Sequence, residues 1–158
     1  MPQKRRQIRL TFVASGESVL AEMLDEDAPV VCQHVWEILP IESKTIHGMY
    51  SGAEVFMMVD NLQPVPPENL AQLPLPGELL YFYDNSSGAV GTKKPISEIV
   101  LVYGRGVVLR AHEGVPTQAS LFARIPGDWK YDWNDFAAAC RRSRWEGPQI
   151  LRIEQMKT

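Results

Sequence analysis

The sequence predicts a mainly β fold, a closed antiparallel barrel of about eight strands whose open ends carry two capping helices, laid out as one domain over residues 1–158. The elements run hairpin, helix, a series of strands, helix, terminal strand. The helices are not interleaved between successive strands, which disfavours a parallel βαβ sheet. The stretch Ile46–Phe56 reads as two short strands around a turn, directly after a helix that ends at Leu39-Pro40.

Ile8, Leu10 and Phe12 alternate with Arg9, Thr11 and Val13, the period-two pattern of a half-buried strand. Ser15-Gly16 turns it into a second strand at Val19–Leu24, completing a hairpin. Asp25-Glu26-Asp27 then sets carboxylates at a helix N-terminus, where unpaired N–H groups favour them. Pro29 fits the first helical turn, because the N–H it lacks has no partner there. Val31, Val35 and Ile38 repeat at helical spacing, widened by Cys32, Trp36 and Leu39, and Pro40 stops the helix.

Strands are expected at Lys44–Tyr50 and Ala53–Val59, paired across Ser51-Gly52. From Asn61 to Gly77, five prolines forbid regular hydrogen bonding, and interspersed leucines predict a cover packed on the surface. Leu79–Tyr83 is strongly β-prone, and polar, glycine-rich Asp84–Lys94 has the composition of a mobile loop. Ile96–Tyr103 is the next strand. Gly104-Arg105-Gly106 turns it into a strand at Val107–Arg110, and a loop leads on to the strand Ser120–Ile125. A second helix spans Trp133–Trp145, with Asp132 as its cap and Phe136, Ala137 and Cys140 on its buried stripe. Gly147-Pro148 ends it, and Ile150, Leu151 and Ile153 form the last strand.

At 158 residues, with 45% hydrophobic and 22% charged residues, the chain has the composition of a soluble globular protein. A domain of that size buries about 70% of its unfolded surface and needs no disulfide or metal to hold its core. The net charge of -3 argues against general nucleic-acid binding, which requires clustered cations. Lys4-Arg5-Arg6 reads as a solvated terminus and Arg141-Arg142 as a solvated helix face. Cys32 and Cys140 fall in helices, outside any CxxC pattern, as buried reduced thiols of a cytoplasmic protein. No stretch reads as a signal peptide or a membrane span.

Several strings carry a family resemblance. Glu22-Met23-Leu24, Asp27-Ala28-Pro29 and Val35-Trp36-Glu37 are similar to the opening of cyclophilin-type barrels. Val35–Ile41, Ser51–Phe56, Pro76–Tyr81, Ile96–Ile99, Val102–Gly106 and Leu121–Ile125 resemble, in that order, an uncharacterised bacterial family with the cyclophilin-like fold. The resemblance implies the fold and no activity. True cyclophilins are proline isomerases, with an arginine in a Phe-His-Arg-Ile strand and a glutamine shortly after. Here Gly48 stands in the arginine's place and no glutamine follows in Ala53-Glu54-Val55-Phe56, which removes the donor that would stabilise a twisted amide.

His47 and Glu54, on the two strands of one hairpin, are candidates for a polar pair in which His47 titrates near neutral pH. Tyr50, Tyr81, Tyr83 and Tyr103 could line an aromatic cleft. Glu98 interrupts an apolar strand and, if buried, needs a partner such as Arg105 or Arg124. Phe122 completes the candidate binding set. No nucleophile elbow is present, His34, His47 and His112 are dispersed, and no metal or cofactor is expected. The leading reading is a barrel that binds a small polar or amino-acid-like ligand, or a peptide, without efficient isomerase activity. The alternatives are an isomerase with an altered site and an accessory subunit docking through the barrel edge or Pro64–Pro76. The partners envisaged are the ligand and a second copy of the chain in a homo-oligomer, with neither nucleic acid nor membrane.

Overall fold

The computed structural model describes residues 4–60, 64–84 and 95–157. The predicted loop beyond Asp84, up to Lys94, and residues Asn61, Leu62 and Gln63 of the proline-rich stretch lie outside these. The strands are β1 (Gln7–Phe12), β2 (Ser18–Met23), β3 (Ile41–His47), β4 (Glu54–Met58), β5 (Leu70–Ala71), β6 (Glu78–Asp84), β7 (Ile96–Val102), β8 (Ala119–Arg124) and β9 (Gln149–Met156). The helices are α1 (Pro29–Ile38) and α2 (Asn134–Glu146).

The strands run in the order β2-β1-β9-β3-β4-β7-β6-β8, and β2 pairs with β8 to close the ring. Closure rests on Glu22 opposite Arg124 and Met23 opposite Ala123. Every pairing is antiparallel, and β5 lies outside the ring against the start of β8. Chain continuity puts α1 at one end, between the end of β2 and the start of β3. It puts α2 at the other, between the end of β8 and the start of β9.

Because alternate strand residues face opposite sides of the wall, Ile8, Leu10, Phe12, Met23, Val55, Met57, Leu79, Ile99, Leu101, Leu151 and Ile153 share one interior. Val31, Cys32 and Val35 of α1 join it, as do Phe136, Ala137 and Cys140 of α2, and the rings of Phe12 and Phe136 lie 5.0 Å apart. Each large side chain fully buried in this way contributes about 1.5–3 kcal/mol. These side chains fill the barrel interior as a packed core. Both cysteines are buried free thiols, and burial pushes Cys32 up to about 12.

The start of α1 differs from expectation. Asp25 is bound by Arg6, and Arg5 pairs with Glu22 and Glu26. Arg5 and Arg6 are therefore ion-paired as well as solvated, and they engage Asp25 and Glu26, two of the carboxylates expected at the helix start. The acceptor comes instead from Glu68, whose Oε1 takes the Val31 N–H at 2.7 Å. Glu68→Ala is expected to cost about 1 kcal/mol, the usual value of a lost cap, read as a lower urea midpoint at unchanged slope. Asp132 likewise does not cap α2, which begins after Trp133, but accepts the Asp128 N–H at 2.6 Å.

The turn at Ser51-Gly52 is broader than predicted, since β3 ends at His47 and β4 begins at Glu54. Val107–Arg110 is not a strand. β7 already has β4 on one edge and β6 on the other, so no edge is open to a further strand. The segment instead lies across the outer wall, held by bonds to scattered partners. Val108 N donates to Ser51 O, Leu109 N to Gln72 O and Arg110 N to Ser51 Oγ. Val107 and Leu109 cover Leu80, Val100 and Val102, forming a second, smaller core outside the barrel.

Candidate functional site

Two hollows share Gly48, Met49 and Tyr50 as a common rib, one on the outer wall and the other at the end of the barrel beside α2. The first, about 470 Å³, lies between the wall and the Val107–Ala119 segment. Its floor is apolar, with Phe56, Phe82, Val100 and Leu109, and two carboxyls enter it from Glu54 and Glu98. The pairing register explains their placement. Glu54 stands opposite Val102, Phe56 opposite Val100 and Met58 opposite Glu98, so Glu54 and Glu98 share the outer face with the Phe56–Val100 pair between them.

Glu54 is only 6% exposed, and its Oε2 is buried without a hydrogen-bond partner. Burial, reinforced by the nearby Glu98 charge, pushes its carboxyl up to about 8; burial alone pushes Glu98 up to about 7. Neither predicted partner reaches Glu98. Arg124, directly across the β6–β8 pair from Glu78, binds that residue at 2.9 Å, while Arg105 lines the other hollow. The basic residue in the acidic hollow's lining, Arg110, is exposed and directs Nη1 to Gly114 O at 3.4 Å. Gly48 makes room for the acid: a Cβ there would stand 1.7 Å from Glu54 Oε1. The residue that replaces the isomerase arginine in the resemblance therefore houses a carboxylate.

The second hollow, about 1000 Å³, is lined by His47, Tyr103 and Arg105, together with Lys130, Arg141 and Arg144 from the α2 region. His47 does not pair with Glu54. Its Nδ1–H donates to Gly48 O at 2.8 Å, which fixes the neutral tautomer and leaves Nε2 to accept the Tyr103 O–H at 2.7 Å. Burial lowers the His47 pKa, the Gly48 bond opposes that shift, and the Arg144 charge adds to it.

The predicted set is thus divided. His47, Tyr103 and Arg105 line one hollow, Glu54 and Glu98 the other, and Tyr50 both. Tyr81 and Phe122 line neither and lie in the interior core, because their positions on β6 and β8 alternate inward. The Tyr81 hydroxyl meets His34 Nε2 at 3.1 Å, and Tyr83 also packs against the interior. The four tyrosines therefore do not form one cleft. Sequence reasoning missed Lys130, Arg141 and Arg144 and the apolar floor of the acidic hollow. A signal for the floor existed in the apolar runs Leu79–Tyr83 of β6 and Ile99–Val102 of β7, which mark a wall covered on both faces.

Among the described residues no cluster of three or more His, Cys, Asp or Glu is placed to hold a metal. No helix among them is long and apolar enough to cross a membrane.

Residues 10–154 match the model of a family described as "Protein of unknown function (DUF3830)". No curated protein matches the sequence. Among solved structures, the fold is similar to that in the structure of McbB in complex with tryptophan, with a TM-score of 0.66 at 15% identity over 96% of this chain. The match takes in 45% of the McbB chain, so this chain spans less than half of that protein's length. The solution structure of the hypothetical protein AF2241 from Archaeoglobus fulgidus is similar from end to end, with a TM-score of 0.56 at 15% identity over 98% of each chain. At such identity these likenesses show the barrel fold alone.

Proposed function

The chain belongs to the DUF3830 family, whose function is unknown, and we propose that it is a small-ligand-binding barrel whose acidic hollow receives a protonated amine on an apolar body. The observation that carries this reading is the buried Glu54 carboxyl. Its Oε2 lacks a partner, and Glu98 enters the same apolar space. A buried carboxylate is costly unless it is paired. An ammonium group supplies that pair, and Phe56, Phe82 and Val100 supply the surface for the rest of the ligand. The amino-acid-like ligand suggested by the sequence fits this chemistry. The tryptophan in the McbB structure is a molecule of the same class, although it is bound by a different protein.

The proposal extends to a cyclophilin-like relation for the barrel and to a bacterial, cytoplasmic setting, which rest on the sequence strings and the two free buried thiols. Isomerase activity is not part of it. The Glu54 carboxyl occupies the space that a side chain at position 48 would take.

Calorimetry at pH 7 with phenethylamine, the neutral 2-phenylethanol and the anionic 3-phenylpropionate tests the reading. The amine is expected to bind at least tenfold more tightly than either analogue, a difference of about 1.4 kcal/mol. Because Glu54 titrates at about 8 in the free protein, amine binding should release protons and make the measured heat depend on the buffer. Glu54→Gln should weaken both the preference and the proton release, and Glu54→Gln/Glu98→Gln should remove them. Equal affinity for all three compounds, or no binding of any, would defeat the reading.

A further inference from the structure

The second hollow poses the opposite electrostatic problem to the first. Arg105, Lys130, Arg141 and Arg144 converge on it, and no Asp or Glu is among its lining residues. The chain as a whole is acidic, at -3, so this local excess does not follow from composition. Within α2 the contrast is direct. Arg142 binds Glu17 at 2.7 Å, whereas Arg141 and Arg144, three residues apart and therefore on one face, have no carboxylate among the described ion pairs.

Ring faces position these cations instead. The Arg141 guanidinium carbon lies 5.9 Å from the Tyr103 ring centre, Arg144 lies 5.0 Å from Trp145, and the Lys130 ammonium lies 5.4 Å from Trp129. A ring face orients a cation without using up its N–H donors, so the donors remain for a ligand. The neutral His47–Tyr103 pair forms a polar wall beside them.

We propose that this hollow is an oxyanion-binding site for the carboxylate or phosphate group of a small molecule, with Arg141 and Arg144 as its principal donors. Paired guanidinium groups suit the planar, multi-acceptor geometry of either anion. The site does not depend on the amine reading. Because the two hollows share the Gly48–Tyr50 rib, it is also placed to take the acidic end of a ligand whose amine lies against Glu54.

Trp129 and Trp145 line the hollow and report on it directly. Tryptophan fluorescence would be followed during titration with sodium butyrate and, separately, with inorganic phosphate, at an ionic strength held constant with sodium chloride. At least one anion should give a saturable change beyond the chloride reference, and which one does so identifies carboxylate or phosphate as the preferred group. Half-saturation should rise at least tenfold in an Arg141→Gln/Arg144→Gln variant and stay within twofold in Arg142→Gln, which removes the same kind of charge outside the hollow. Arg144→Gln alone decides the matter if the double variant does not fold. A response no greater than that of chloride, or equal weakening by Arg142→Gln, would overturn the proposal. The amine titration reads Glu54 and the anion titration reads Arg141 and Arg144, so either can fail without the other.

Discussion

Raising the pH from 4.5 to 8 is expected to destabilise the protein by an amount on the order of a few kcal/mol, with Glu54 the largest contributor. In the unfolded chain its carboxyl ionises near the ordinary value of 4.5, while in the fold burial and Glu98 hold it protonated to about 8. Below 4.5 both states carry the proton and nothing is lost. Between the two values the unfolded state releases a proton that the folded state keeps, so stability falls with each increment of pH. Above about 8 both states are ionised and the loss is complete. Glu98, displaced from 4.5 to about 7, adds a smaller decline over a narrower window. Urea denaturation at half-unit intervals would show the slope. Glu54→Gln should remove most of it and raise stability at pH 8, since an amide keeps the shape without the charge. A profile that Glu54→Gln leaves unchanged would mean that the carboxyl is solvated; the overall slope also carries the opposite contribution of His34 and His47, whose pKa values burial lowers.

Phe122→Ala is expected to cost about 3–5 kcal/mol, as removal of a fully enclosed aromatic side chain does. The residue has 0% exposure in the interior core, and the Cys32 thiol donates to its carbonyl at 3.2 Å, fastening α1 to β8. Against a typical total of about 5–15 kcal/mol, such a loss brings the protein close to unfolding at ordinary temperature. The same variant separates core from site. Once affinity is corrected for the folded fraction, phenethylamine binding should be unchanged, because the Phe122 side chain touches neither hollow. A loss below about 1 kcal/mol combined with lost binding would return Phe122 to the binding set.

The barrel was legible in the sequence because period-two alternation on β1, the Pro29 and Pro40 boundaries of α1 and the Gly147-Pro148 stop of α2 are local signals. The interaction that completes α1 was not legible, since it depends on Glu68, 37 residues downstream of the N–H it accepts. Val107–Arg110 misled for a related reason. Its residues favour a strand, but ring closure had already occupied both edges of β7. Glu98 stood out as a carboxylate in an apolar run, and Glu54 as one beside His47. Their assignment to one hollow and that of Arg105 to another depend on which face of the wall each residue takes. Tyr81 and Phe122 carry the same β-prone chemistry as true lining residues, and only register turns them inward.

Ring closure also bears on how copies of this chain can meet. Open sheets present rows of unpaired amides that invite intermolecular strand addition, the route to cross-β aggregation. Here β2 and β8 pair through Glu22 with Arg124 and Met23 with Ala123 to close the ring, and the strand outside it, β5, extends for only two residues. Closure therefore shortens the backbone edge open to such addition, and the protein should remain dispersed at concentrations where an open sheet of the same strands would coalesce.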